Sequence, residues 1–184
     1  AIDAVVPAVP MPATEFFHIT DTGRARNNNE DSVSLDPATS LAVLADGMGG
    51  YNAGEVASNM ATSFMVAEFG RWLLEAGASA TDNEVRRAMD ICVDNANRAI
   101  FNAANANPQY AGMGTTLVVT VFRDSRLLVG HVGDSRAYRL RNGRLSQLTR
   151  DHSLLQEQLD AGLITAEQAS FSANKNLVTR AVGV

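Results

Sequence analysis

Four carboxylates of this chain stand beside residues with little or no side chain. They are Glu30 and Asp31 in "RARNNNEDS", Asp46 in "VLADGMGGYNAGEVAS" and Asp134 in "HVGDSRAY". Asp46 and Asp134 each close an apolar run, and Glu30 and Asp31 precede one, so all four lie at the ends of expected strands. If those ends meet, several anions share one place, and like charges that close raise one another's pKa unless a cation is bound. A hard divalent cation relieves the repulsion. With oxygen donors alone, Mg²⁺ or Mn²⁺ fits better than zinc, and octahedral coordination leaves positions for water. Successive strand residues point to opposite faces, so Glu30 and Asp31 divide the work: one touches the ion and its neighbour acts at one remove. Gly47 has no Cβ to hold its own carbonyl away from an ion, and Gly49, Gly50 and Gly54 keep the wall low enough for a bulky substrate.

The elements that must position these groups follow from periodicity. Alternating runs at 16–20 ("FFHIT"), 32–36 ("SVSLD") and 41–46 ("LAVLAD") are expected strands. A helix is expected over 53–77, with Val56, Met60, Phe64 and Ala67 along its buried face. A second begins at the Thr81/Glu84 capping box, buries Val85, Met89, Cys92, Ala96, Ala99 and Ile100, and ends before Pro108. "TTLVVTVF", "RLLVGHVGD", "RAYRLR" and "RLSQLT" then read as an antiparallel meander with a hairpin at Asn142-Gly143. Two short helices follow, started by Ser153/Gln156 and Thr165/Gln168, with Gly162 stopping the first. Strands, two long helices and more strands imply an α+β protein, a helix layer packed on antiparallel sheets.

Composition bounds the partners. The 184 residues suit one domain, with a net charge of −5, and the basic residues are scattered arginines with Lys175 the only lysine. No phosphate-backbone stripe forms, so nucleic acid is excluded as a partner. One cysteine, Cys92, excludes an intramolecular disulfide. Residues 1–15, broken by Pro7, Pro10 and Pro12 and lacking a basic n-region, read as a loose arm rather than a membrane span, on a cytoplasmic protein that meets no membrane. Taken singly, the motifs have plain readings too. "DGMGG" is a strand-to-helix turn, "GDSR" a β-turn with a salt bridge, Arg26 the partner of a neighbouring acid, "GMGTT" a close approach of two backbones, and His152 a capping or surface histidine.

Those readings do not account for their joint appearance in one order. The series "TDTGRARNNNEDS", "VLADGMGGYNAGEVAS", "MGTTLVV", "HVGDSRAYRLRNG", "LTRDHS" and "AGLITAEQA" resembles the bacterial PPM (PP2C-like) metal-dependent protein serine/threonine phosphatases from about Phe17 onward. The resemblance implies an α-β-β-α sandwich over 16–184, two antiparallel sheets flanked by helix pairs, with a binuclear Mg²⁺ or Mn²⁺ centre at one end and a third ion in bacterial members. By motif, Asp46 would bridge both metals, Glu30 and the Gly47 carbonyl would bind one, Asp31 would hold coordinated waters, and Asp134 would serve the third. Arg26 falls at the family's phosphate-binding arginine, and 152–171 at its flap. The implied reaction is direct attack of a metal-activated water on phosphoserine or phosphothreonine in proteins, with a serine/threonine kinase as the usual counterpart.

The sequence departs from the family in two places. Met48 stands where animal members have a proposed proton-donating histidine, which leaves proton donation to metal-coordinated water. The "SDGL" motif and the later "DN" motif that supply further aspartates near the family's C-terminus have no counterpart after Asp134, so the chain is expected to be a fragment with reduced or no activity of its own. Two alternatives are a non-catalytic phosphoprotein-binding module and a nucleotide-binding loop at "DGMGG". The second is disfavoured because the lysine of a P-loop is missing and Asp46 would repel phosphate without metal.

Overall fold

The strand that carries Asp46 lies inside a sheet and runs on to Met48, so the position of Asp46 is set from both sides. The computed structural model describes residues 14–50, 52–172 and 177–184. Most of the expected N-terminal arm therefore lies outside the described residues. Strands β1 (Asp31–Asp36), β2 (Leu41–Met48), β4 (Leu117–Arg123) and β5 (Arg126–Val132) form one antiparallel sheet in that order, and the short β3 (Gly114–Thr115) pairs with the end of β2. One face carries the core: Leu41, Val43 and Ala45 alternate inward on β2, and Leu117, Val119, Val121 and Leu128 do so on β4 and β5.

Helices cover that face. Helix α1 (Ala53–Phe64) continues through a π-wound stretch (Met65–Gly70) into α2 (Arg71–Ala76), and α3 (Asp82–Ala106) packs beside them. The buried side of α1 is Ala53, Ala57, Ser58, Ala61 and Thr62, followed by Met65 and Phe69, which corrects the expected stripe. Val56, Met60 and Phe64 are half-buried and Ala67 is exposed. The cause is close approach: small residues bring α1 near the strands, where the Ser32 hydroxyl lies 2.8 Å from that of Thr62 and donates to Asn59 Oδ1 at 3.0 Å. The start of α3 is as expected, with both halves of the Thr81/Glu84 capping box made. Its buried face adds Ala88 and Ala104, while Ala99 is only half-buried.

Two further expectations fail. Residues 16–20 form no strand: Phe17 and Ile19 are 89% and 91% exposed, and the Phe16 ring instead meets Phe122 edge-on. The meander also breaks after β5, because β6 (Tyr138–Arg141) and β7 (Arg144–Gln147) pair only with each other. Their hairpin turns at Asn142-Gly143 as expected, both with positive φ. Helices α4 (Leu154–Asp160) and α5 (Ala166–Ser170) follow, and Gly162 adopts the left-handed φ of 67° just past α4. Thr165/Gln168 is a full capping box, whereas Ser153 makes only the half that accepts from the Gln156 N–H. No described helix is long and apolar enough to cross a membrane.

Candidate functional site

Register alone brings two carboxylates together, since Asp31 and Asp46 are directly paired across β1 and β2 and share a face. Asp46 is consequently hard to ionise. Its pKa is raised to about 6, chiefly by burial, then by the charge of Asp31 and a hydrogen bond with it, then by Asp134, with Arg26 opposing. Asp134 follows the end of β5, which β4 holds two places from β2. Glu30 turns away from Asp31, as alternation requires: its Oε2 accepts from Arg26 Nη1 at 2.6 Å, and its backbone carbonyl accepts from the Gly47 N–H at 2.9 Å.

Glycine is required at the crossing of β2 and α1. A Cβ on Gly47 would lie 1.9 Å from the Gly54 carbonyl oxygen, and one on Gly54 would lie 2.6 Å from Glu30 Oε1. The two glycines therefore fix Glu30 against the strand end, a packing reason that the expected approach of the Gly47 carbonyl to an ion did not include. Gly50, by contrast, faces open space.

These groups line an open cleft of about 590 Å³ that holds Arg26, Glu30, Asp46, Gly47, Met48, Gly49, Thr116, Asp134 and Val178. A second cavity of about 190 Å³ shares Arg26, Glu30 and Asp46 with it and adds Asp31. Each sequence-derived site residue thus borders one or both of two cavities with a common wall. A larger groove, about 730 Å³, lies along α1 between Val56, Met60 and Tyr110, and among the described residues its lining carries one charge, that of Glu55.

The carboxylates that line the two cavities, Glu30, Asp31, Asp46 and Asp134, offer oxygen donors, which suit a hard divalent cation. Among the described residues no three His, Cys, Asp or Glu side chains form a ready ligand cluster, and Glu30 is turned into its ion pair with Arg26. The Arg26 side chain is 67% exposed, leaving the rest of its guanidinium open to the cleft.

The flanking turn is held by Arg136 and His152. Arg136 grips Asp151 through both Nε (2.8 Å to Oδ1) and Nη2 (2.6 Å to Oδ2), which is the salt-bridge reading of "GDSR". His152 is no cap. Its ring stacks on His131 with centroids 4.7 Å apart, and its Nδ1 accepts from the Gly133 N–H at 3.1 Å. Burial and the neighbouring His131 and Arg180 hold the His152 pKa below the usual histidine value, against weaker pulls from Glu157 and Asp151. The folded chain then binds a proton there less readily than the unfolded chain does, so this contribution to stability is present above about pH 6.5 and is lost as pH falls through the lowered pKa. His152→Asn, whose Oδ1 replaces the acceptor without titrating, is expected to flatten the fall in melting temperature between pH 7 and 5. An unchanged slope in thermal melts would assign that proton elsewhere.

The chain matches the model of the protein phosphatase 2C family over residues 22–174. It is 38% identical over 168 residues to the serine/threonine phosphatase stp of Listeria innocua, covering 90% of this chain and 65% of that protein. Among solved structures it resembles the Mycobacterium tuberculosis serine/threonine phosphatase PstP/Ppp (TM-score 0.75, 38% identity, 90% of this chain and 66% of that one). It likewise resembles Stp1 from Staphylococcus aureus (TM-score 0.80, 33% identity, 90% and 64%). A structure of the PstP catalytic domain, described as a complex with two manganese ions, aligns at a TM-score of 0.73 with 37% identity, 90% of this chain and 65% of that one. The chain thus spans about 65% of the length of its Listeria relative. On a family model matched across most of the chain, and on an α+β fold of antiparallel sheets shared with solved members, the chain belongs to the protein phosphatase 2C family.

Proposed function

We propose that this cleft is the metal and phosphate site of a protein serine/threonine phosphatase, acting on phosphoserine and phosphothreonine side chains. The observation that carries it is Asp46, a partly desolvated carboxylate beside Asp31 and Asp134, with Arg26 lining the same cleft. Charge that costly to hold suits a site meant for divalent cations, as does the pair of manganese ions in the PstP relative. Glu30, Asp46 and the Gly47 carbonyl would hold one ion, Asp46 would be shared with a second, Asp134 would serve a further one, and Asp31 would act at one remove through water. Bound there, Mg²⁺ or Mn²⁺ offsets phosphoryl charge and makes hydroxide available near neutral pH. Arg26 fits two phosphoryl oxygens with its planar fork and so orients the phosphorus. Met48 has no proton to give a leaving serine or threonine oxygen, so that proton comes from solvent in the cleft. The segment from His152 to Phe171, with α4 and α5, borders this end of the fold as a flap. A protein kinase acting on the same substrates is its chemical counterpart.

Counting oxygens makes the ions unequal, because the first has three protein ligands while a second shares Asp46 and has few others among the described residues. Calorimetric titration of the 184-residue chain with Mn²⁺ is expected to resolve one tight and one weak site. Hydrolysis of p-nitrophenyl phosphate is expected to be slow, Mn²⁺-dependent and abolished by EDTA. A phosphothreonine peptide that binds without any turnover, with and without metal, would establish a binding module instead.

Arg26→Lys separates phosphate recognition from ion binding. A point charge replaces a bidentate fork, and loss of a charge-assisted hydrogen bond is worth about 1.5–3 kcal/mol, so KM for a phosphopeptide is expected to rise about tenfold or more. Mn²⁺ affinity should stay nearly constant. If Mn²⁺ affinity collapsed while KM held, Arg26 would be only the partner that it is for Glu30.

A further inference from the structure

Asp46 is held by its backbone as much as by its neighbours. Its N–H donates to Thr116 Oγ1 at 2.9 Å, and its carbonyl accepts from the Thr116 N–H at 2.9 Å and from Thr115 Oγ1 at 3.0 Å. Thr116 is the single residue between β3 and β4, and it is 1% exposed. Its hydroxyl makes one more contact, 2.7 Å to the Ser135 hydroxyl, and Ser135 directly follows Asp134. The turn is pressed onto the same side chain, because a Cβ on Gly133 (φ +98°) would lie 2.7 Å from Thr116 Cγ2. The far side of that turn is pinned as well, with the Gly133 carbonyl accepting from the His152 N–H at 2.9 Å. A single buried hydroxyl therefore touches the peptide of one cleft carboxylate and the neighbour of another, although the two lie on strands that are not adjacent.

Resting on the reading of the cleft as a cation site, we propose that Thr116 is a positioning residue whose hydroxyl, through Asp46 N–H on one side and Ser135 on the other, sets the spacing of Asp46 and Asp134 for the neighbouring ions they would hold. Groups that orient metal ligands from behind typically change ion affinity by roughly 10–100-fold when removed. Valine keeps the shape of Thr116 and removes the hydroxyl, whereas serine keeps the hydroxyl and drops only the methyl.

The test is Mn²⁺ titration calorimetry on the 184-residue chain, with a thermal melt of each metal-free variant. Thr116→Val and Ser135→Ala are each expected to weaken Mn²⁺ binding about tenfold or more. The double variant should be no weaker than Thr116→Val alone, since both break one tie, and Thr116→Ser should recover the original affinity. Ser135→Ala leaves the Asp46 N–H paired and should melt like the unaltered chain, so it carries the test if Thr116→Val does not fold. Asp46→Asn controls for the site itself. If it removes binding while Ser135→Ala and Thr116→Val bind as the unaltered chain does, the positioning inference falls and the cation site stands. Losses that simply add would likewise overturn the shared tie. If the unaltered chain takes up no Mn²⁺, both fall.

Discussion

Asp46→Asn is expected to abolish Mn²⁺-dependent phosphoester hydrolysis while making the metal-free protein more stable. The two effects have one cause. Asp46 lies opposite Asp31, with Asp134 close enough to add to the repulsion, and partial desolvation together with these neighbours raises its pKa to about 6, so the fold tolerates its charge poorly. At pH 7.5 in EDTA that charge is nevertheless present. The full shift would amount to about 3 kcal/mol, but the group is half in solvent, so removing it should gain roughly 1 kcal/mol. For a chain of this size that is a rise in melting temperature of about 2–4 °C. The amide that replaces the carboxylate can still donate to Asp31, and the backbone bonds to Thr115 and Thr116 are unaffected. Ion binding goes the other way: the amide offers one neutral oxygen where two ions need a shared anionic one. The loss should exceed the roughly 10–100-fold that removal of a mere outer partner costs. Differential scanning calorimetry in EDTA and steady-state kinetics in Mn²⁺ check both halves. Hydrolysis at the unaltered rate would remove Asp46 from the centre, and a lower melting temperature would mean that its charge is compensated by something else.

What could be read in advance was whatever is encoded locally. The Thr81/Glu84 box marks the start of α3 because both of its hydrogen bonds close within four residues, and Asn142-Gly143 marks its hairpin because two positive φ values demand such residues. Helix α1 was placed but turned wrongly. Large apolar residues weigh most in a periodicity argument, yet here Ala53, Ala57, Ala61 and two hydroxyls face the sheet, because what the site needs is α1 close to β2. "FFHIT" alternates like a strand, but pairing is decided by partners far along the chain, and among the described residues none takes it up. Asp46 and Asp134 stand out in the sequence because carboxylates at strand ends beside glycines ask for an explanation, whereas Arg26 is singled out by the family resemblance. Thr116 and Ser135 do not stand out in this way: "GMGTT" reads as a close approach of backbones, which it also is, since a Cβ on Gly114 would lie 3.2 Å from the Val182 carbonyl oxygen. Buried hydroxyls between two backbones carry no periodicity and no charge, so only their hydrogen bonds disclose them.

Gly47→Ala and Gly54→Ala are expected to fail in different ways, and the difference separates the fold from the ion. The methyl added at Gly47 meets the Gly54 carbonyl oxygen at 1.9 Å, its carbon at 2.4 Å and the Glu30 carbonyl oxygen at 2.8 Å. All three are backbone atoms, so no side chain can rotate out of the way. Relief requires α1 to lift from β2 or the Gly47 N–H bond to the Glu30 carbonyl to break. Overpacking usually costs about 1–3 kcal/mol, and this contact belongs at or beyond the upper end, a fall in melting temperature of about 6–12 °C or outright unfolding. At Gly54 the new methyl also lies 2.9 Å from the Gly47 carbonyl carbon, but its shortest contact is 2.6 Å to Glu30 Oε1, the end of a flexible chain. Glu30 can swing aside, so most of the stability should remain while the carboxylate proposed for the first ion is displaced. Gly54→Ala should therefore melt far closer to the unaltered chain than Gly47→Ala does, yet lose its tight Mn²⁺ site, and Gly50→Ala, facing open space, should change neither. Chemical denaturation beside Mn²⁺ calorimetry on the three variants gives the comparison. Tight Mn²⁺ binding retained in a folded Gly54→Ala protein would exclude Glu30 from the ion and move the first site toward Asp31.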